Sequence, residues 1–222
     1  MLGLPRKSNK GEQAERVWQR MLSGRRLDIA DPSPFDVEIE DIAHGLARVA
    51  RWNGQTTGDH AFSVAQHSLV VLHVLDALHD NAASPELRLT TLLHDAPEYV
   101  IGDMISPFKA FLGESYRTIE DRLATAIHLR HQLPPSVGES HHKTIKQADR
   151  ISAYLEAVQL AGFTAHEAGD LFGVPRADLI DMRLVPLSAI EAEEAFLNAH
   201  AEAFEAHLEA IAESPAAHVR HR

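Results

Sequence analysis

Apolar residues recur at helical spacing along most of the chain. Ile39, Ile42, Leu46 and Val49 predict a helix over roughly 38–51, and His67, Val70, Val71, Val74 and Leu78 predict another over roughly 63–79. An earlier helix is expected from Glu12 to Leu22, stopped by Ser23-Gly24, with an extended connection from Leu27 to Pro34. Ser84-Pro85 supplies an N-cap and a first-turn proline for a helix continuing through Leu92-Leu93-His94-Asp95. Pro97 must then kink that helix or begin a new turn, and Gly102-Asp103 ends it. A short helix opens at Ser106-Pro107, and long ones are predicted over 114–132 and 142–161. Weaker helices follow over 164–172 and 176–183. Ser188 and Glu191 form a capping-box pattern opening a last helix to about Glu213. No run of alternating β-branched residues predicts a sizeable sheet, so the expectation is one all-α domain. Its parts are an N-terminal lead-in and helix (1–24), a core (25–187), and a C-terminal helix and tail (188–222) packed on that core.

Composition narrows the chemistry. The 222 residues suffice for a substantial core, and 45% are hydrophobic. With 21 Lys plus Arg against 32 Asp plus Glu, the net charge of −11 argues against extended nucleic acid as a partner. No apolar run is long enough for a membrane span, and the N-terminus lacks a secretory apolar core, so a cytoplasmic location is expected. The absence of Cys excludes disulfides, cysteine nucleophiles and thiolate metal sites. Any metal must therefore be held by imidazole and carboxylate, and there are 15 His to draw on.

Two His-Asp dipeptides occur. His79-Asp80, beside Asn81 at a helix end, reads as a solvated polar terminus. His94-Asp95 follows Leu89, Leu92 and Leu93 and so lies near an apolar face, where unpaired polar groups are expensive. Glu98 comes four residues after His94, on the same face of a continuing helix. His67 lies on the apolar face of its own helix, and Asp149 sits within the amphipathic stretch 145–151. Singly, His67 fits a hydrogen-bonded core histidine and Asp149 a capping or ion-pairing residue. Together, three helices each bring a metal-competent residue toward a buried face. Two imidazoles and two carboxylates suit Mn, Fe, Co, Ni or Zn with positions left open for water and substrate.

The order His67, then His94-Asp95 after 27 residues, then Asp149 after 54 more, resembles the H…HD…D signature of HD-domain metal-dependent phosphohydrolases. The tract from His94 to Asp103, with HDxxE followed by Gly-Asp, is similar to the YfbR-like 5′-deoxynucleotidase branch, as is Arg51-Trp52 ahead of the first His. The resemblance covers about residues 25–160. It implies a helical HD-domain bundle in which His67, His94, Asp95 and Asp149 hold one divalent metal ion (Mn, Co, Fe, Ni, Zn or Mg). Glu98 would position or deprotonate the attacking water, or protonate the leaving oxygen. Arg51 would contact the phosphate, Trp52 would pack near the sugar, and Asp103 would face the sugar or assist proton transfer. The implied substrate is a small phosphorylated molecule, a (deoxy)nucleoside 5′-monophosphate first of all, and the implied assembly a homodimer. Alternatives sharing the metal core are a dNTP triphosphohydrolase and a nucleotide sensor without turnover. Gln66 and Ile101 stand where that branch tends to have Glu and Thr, which bears on nucleotide selectivity rather than on the metal.

Arg48, three residues before Arg51 on the predicted helix, and Lys109 could add positive charge near the phosphate; each reads equally well as a solvated helix charge. His128, His131, His141 and His142 could form a second metal site but surround a Pro-rich loop where exposed His are ordinary. His200 and His207 share a face of the last helix and suit packing or surface polarity, and His218 and His221 belong to a basic tail. No Walker loop and no G-x-S-x-G elbow is present.

Overall fold

Residues 17–214 are described by a computed structural model. Among them the chain is helical apart from one hairpin, in which β1 (Trp18–Arg20) pairs antiparallel with β2 (Arg26–Asp28). This hairpin overturns the helix expected over 12–22, of which residues 12–16 lie outside the described residues, as do the lead-in 1–11 and the tail from His218. Gly24, at φ 91°, makes the tight reversal that the backbone hydrogen bond from Met21 to the Arg25 carbonyl (3.0 Å) closes. Leu27 on β2 is fully buried, and Trp18 lies under the Arg26 guanidinium at 4.4 Å. Three-residue strands held by such contacts leave no periodicity to read.

α1 (Ile39–Leu46) is shorter than expected. Beyond it Ala50 bridges to Ser63, and the Arg51 amide donates to the Phe62 carbonyl at 2.8 Å, so the chain leaves the helical path before Arg51. A 3₁₀ turn over Arg51–Gly54 follows. α2 (Val64–Leu78) and α3 (Pro85–Leu92) begin as their sequences predict: the side chains of Ser63 and Ser84 accept from the amides of Gln66 and Leu87, both at 3.2 Å.

α3 ends at Leu92, and a short α4 (Glu98–Ile101) begins after Pro97. His94-Asp95 therefore occupies a turn, not the continuing helix expected from the sequence. Proline at 97 disfavours the α conformation of the residue before it and has no amide to donate. The turn closes instead through i→i−3 bonds, from His94 to Thr91 (3.3 Å) and from Ala96 to Leu93 (3.0 Å). The helix-face argument that paired His94 with Glu98 fails with it; the carboxyl that Glu98 senses is that of Asp95, the next residue of the turn.

The rest follows the sequence closely: α5 (Ser106–Leu112), α6 (Glu114–Arg130), α7 (Glu139–Gln159), α8 (Ala165–Phe172), α9 (Ala177–Ile180) and α10 (Ala189–Glu213). The capping box at Ser188 and Glu191 forms, as does one at Thr164 and Glu167 opening α8. α7 starts three residues earlier than expected, at Glu139 after Gly138.

α2 is the central helix, packed by α3, α7 and α10, while α1 lies across α4 and α10. Phe62, Leu75, Leu92, Leu93, Leu155 and Phe196 are among the side chains fully buried between these elements. Each contributes about 1.5–3 kcal/mol of transfer free energy. α10 belongs to this core through Ala192, Phe196 and Ala203. Gly45 lets α1 approach α4 closely: a Cβ there would lie 2.8 Å from the Tyr99 Cβ. His128 and His131 are buried, their Nδ1 atoms committed to the carbonyls of Pro134 (2.9 Å) and Ile127 (2.7 Å). His141, on α7, faces Glu86 at 3.6 Å, and among the described residues these histidines are not part of the group whose ligand atoms lie close enough to share an ion.

Candidate metal centre and phosphate site

His67, one turn into α2, is buried completely. Its Nδ1–H donates to Glu156 Oε1 on α7 at 2.5 Å, and its Nε2 has no hydrogen-bond partner. His94, on the α3–α4 turn, repeats the pattern: Nδ1–H donates to the Thr91 carbonyl at 2.8 Å and the buried Nε2 is left without a partner. The two rings lie 5.3 Å apart. Asp95 Oδ2 stands 3.4 Å from His67 Nε2 and 3.3 Å from His94 Nε2, and Asp149 Oδ1 stands 3.5 Å from His67 Nε2. Among the described residues, His67, His94 and Asp149 form the one group of three whose ligand atoms lie within 4.8 Å of one another. Buried polar atoms without partners are rare in proteins because each forfeits its solvation. Two bare imidazole nitrogens aimed at shared carboxylates are the donor set of a divalent cation of the first transition series.

The electrostatics agree with that reading. Burial and the nearby Arg51 oppose a charge on His67, yet Glu156, Asp149 and Asp95 outweigh them and hold its pKa well above the ordinary value, so the cluster favours a positive charge at this place and a bound cation would take over that role by displacing the Nε2 proton. Burial likewise opposes ionisation of Asp95, but His94 and His67 keep its carboxyl well below the usual range. Asp149 is lowered against burial by the neighbouring His67 and His94 imidazoles. Both carboxylates are thus held ready to take a cation.

Beside this cluster stands a second group. Arg51 and Trp52 lie in the 3₁₀ turn after α1, where Trp52 (φ 56°) and Asn53 (φ 51°) both adopt the left-handed conformation. For residues with a Cβ that conformation costs of order 1–3 kcal/mol and persists only where surrounding contacts enforce it. Here those contacts are the Trp52 Nε1–H donating to Glu156 Oε2 at 2.8 Å and the indole packing on Phe163 and Phe172. Arg51 Nε donates to the same Glu156 Oε2 at 3.3 Å, and its Nη1 donates to Asp103 Oδ2 at 3.1 Å. Asp103 follows Gly102, whose φ of 75° ends α4.

Glu98, at the first position of α4, is 2% exposed, and its Oε2 has no partner. Burial pushes its pKa up to about 8, with Asp95 and Asp103 adding to the rise and Lys109 offsetting only part of it. In the metal-free site a carboxyl so raised favours its protonated form at neutral pH. Lys109 on α5 donates to Glu98 Oε1 at 3.0 Å and to Glu120 Oε1 at 3.2 Å. The Lys109 ammonium is thus paired to Glu98 and Glu120 and lies near enough to Asp95 to feel its charge. Arg48 is not brought to the cluster. It donates to Glu193 on α10 at 2.6 Å and to the His44 carbonyl at 2.9 Å. The expectation that it points with Arg51 fails because α1 ends at Leu46, before both residues, and no helix relates them.

Glu156 was not singled out from the sequence, and neither was Ser152, whose Oγ donates to Glu156 Oε1 at 2.9 Å. A signal was present. Asp149, Ser152 and Glu156 recur at helical spacing on one stripe of α7, and Glu156 interrupts the otherwise apolar run 153–158.

Residues 42–167, more than half of the chain, match the family described as 5′-deoxynucleotidase YfbR-like. The chain belongs to the YfbR-like family. Family membership makes it a hydrolase of phosphoric esters, acting on nucleotides. Apart from Phe172, the residues that build the two groups above, Glu156 included, fall within the matched span. An uncharacterized protein of Rhodobacter capsulatus is 57% identical over 166 residues, covering 75% of this chain and 84% of that protein. A 5′-deoxynucleotidase of Photobacterium profundum is 30% identical over 129 residues, 47% of this chain and 66% of that enzyme. A 5′-deoxynucleotidase of Photorhabdus laumondii is 30% identical over 129 residues, 47% of this chain and 64% of that enzyme. Against the two nucleotidases, then, the match spans just under two thirds of their length. Among the described residues no helix is long and apolar enough to cross a membrane.

Proposed function

We propose that this protein hydrolyses the phosphate ester of a (deoxy)nucleoside 5′-monophosphate, with one divalent metal ion held by His67, His94, Asp95 and Asp149. The observation that carries the metal is the pair of buried Nε2 atoms, both without hydrogen-bond partners, facing the carboxylates of Asp95 and Asp149. A divalent cation bound there supplies Lewis acidity, activating water at neutral pH and offsetting charge on the phosphoryl oxygens.

The chain's own residues supply the rest. Arg51, fixed by Glu156 and Asp103, keeps its remaining N–H donors for the phosphoryl oxygens. Glu98 is protonated at neutrality, beside the cluster, and donates its proton to the leaving 5′ oxygen as the bond from phosphorus to that oxygen breaks. The attacking water forms the new bond to phosphorus, and the proton it loses recharges Glu98. Lys109 holds the Glu98 carboxyl in place through Oε1. The nucleoside carried by such a phosphate lies toward Trp52 and Asp103, the side from which Arg51 reaches the cluster. The protein works in the cytoplasm as a homodimer in this reading.

The test is a metal analysis of the purified protein followed by product analysis with Mn²⁺, Co²⁺, Mg²⁺ and Zn²⁺ and a panel of nucleotides. Inorganic phosphate from monophosphates is the expected product, abolished by chelation and by Asp95→Ala. Tripolyphosphate from dNTPs would replace this reading with the triphosphohydrolase one. Tight metal and nucleotide binding without any product would make the protein a sensor.

A further inference from the structure

Glu156 is a carboxylate with no exposure at all, placed between the two groups of the site. Burying an ion without partners costs several kcal/mol, and a well-packed apolar side chain in its place is commonly neutral or stabilising. Glu156 accepts from four donors on two other segments and its own helix: His67 Nδ1 and Ser152 Oγ at Oε1, Trp52 Nε1 and Arg51 Nε at Oε2. Each oxygen thus serves a different half of the site.

Resting on the function proposed above, we propose that Glu156 is the positioning residue that fixes His67 in its metal-binding tautomer while also orienting the phosphate-binding Arg51 and Trp52. The ring nitrogen that a histidine presents to a metal is set by the hydrogen bond its other nitrogen makes. Glu156 Oε1, which also accepts from Ser152 Oγ, stands 2.5 Å from Nδ1 and takes the hydrogen of that nitrogen, so Nε2 is the nitrogen turned toward Asp95 and Asp149 and the one a cation would engage. Only a group that accepts at both ends can do this and hold Arg51 and Trp52 at the same time.

The Glu156→Gln variant separates these demands. An amide of the same size has one accepting oxygen and one donating NH₂. Trp52 Nε1 and Arg51 Nε can only donate, so the amide oxygen must face them. The NH₂ then faces Ser152 and His67, both of which can switch to accepting. His67 does so by moving its proton from Nδ1 to Nε2, and that proton now points into the metal cluster. The substitution that best conserves shape therefore blocks a ligand.

The measurement is the Mn²⁺ dissociation constant of the full-length protein, by chelator competition, for wild type, Glu156→Gln and Glu156→Asp. Loss of such an outer hydrogen bond typically weakens metal binding by about 10- to 100-fold, and that weakening is expected for E156Q. E156D keeps two accepting oxygens and is expected to bind Mn²⁺ within about tenfold of wild type, between wild type and E156Q. A residue that merely fills space gives the reverse order, because Gln matches Glu in volume and Asp leaves a gap. At saturating Mn²⁺, E156Q keeps a nucleotide KM near that of wild type, since Arg51 and Trp52 retain their acceptor. Mn²⁺ affinity unchanged in E156Q, or weaker in E156D than in E156Q, overturns the proposal. Should E156Q fail to fold, E156D alone decides: affinity within about tenfold supports the role, and loss of binding refutes it. Wild-type protein that binds no metal refutes the function proposed above instead, so the two failures are distinct.

Discussion

Acidification is expected to destabilise the protein through one imidazole far from the metal centre. His200 on α10 is 6% exposed, packs edge-to-face on His131 at 4.9 Å and stacks on Phe204 at 5.5 Å, and its Nε2 has no partner. Burial, with a smaller contribution from the neighbouring His131, pushes its pKa down to about 4. His131 is itself lowered by burial, in spite of its bond to the Ile127 carbonyl, with Arg130, His128 and His207 nearby. In the unfolded chain His200 returns to its ordinary value of 6.5. The unfolded state therefore takes up the proton first as pH falls. Stability from the neutral, buried His200 is complete above pH 6.5 and is lost progressively as pH falls toward 4. The whole interval corresponds to ~3.4 kcal/mol, of which ~2 kcal/mol is lost between about pH 7 and about pH 5. The assay is urea unfolding at both pH values for wild type and His200→Leu, followed by circular dichroism. Titrations common to both proteins cancel, so wild type should lose ~2 kcal/mol more than the variant on acidification. Equal losses, within about 0.5 kcal/mol, would refute the claim that a buried, unprotonated His200 supports the α6–α10 packing.

Two further outcomes follow from the helix that carries Glu98. Gly45→Ala gains ~1 kcal/mol of helix propensity, but its Cβ would meet Tyr99 at 2.8 Å, and overpacking costs ~1–3 kcal/mol. A net loss in thermal stability is expected, together with reduced kcat because Tyr99 adjoins Glu98 on α4; a stabilised, fully active variant would show that α4 yields freely. Glu98→Gln is expected to remove the alkaline limb of the pH–rate profile while lowering kcat by ~10²–10⁴. Glu98 loses its proton near pH 8 in the metal-free site, and a bound cation draws that value down, so the wild-type limb should fall at or below about 8. A limb that persists unchanged in the variant would assign it to another group.

His67 and Asp149 announced themselves by breaking an apolar stripe and an amphipathic one, because a polar group on a buried face needs a partner or a purpose. The same logic applied to Glu156, but a single acid in 153–158 looks like ordinary helix content until its four donors are seen. His94-Asp95 was found for a partly mistaken reason, since its place on a turn follows from Pro97 and not from helical register. Arg48 shows the opposite error, a neighbour in sequence that the end of α1 sends to Glu193 instead.

The sequence by itself determined the all-α class, the starts of α2, α3 and α10, and the confinement of any metal to imidazole and carboxylate. These follow from local causes: periodicity, capping side chains, proline position and the absence of cysteine. Only the tertiary structure decided which atoms face one another. It turned both Nε2 atoms toward Asp95 and Asp149 and seated Arg51 and Trp52 on a carboxylate more than 100 residues away in sequence. It also buried Glu98 beside Asp95 and Asp103 and so raised its pKa. Those outcomes depend on burial and on distances between segments remote in sequence, and neither quantity is written in the order of the residues.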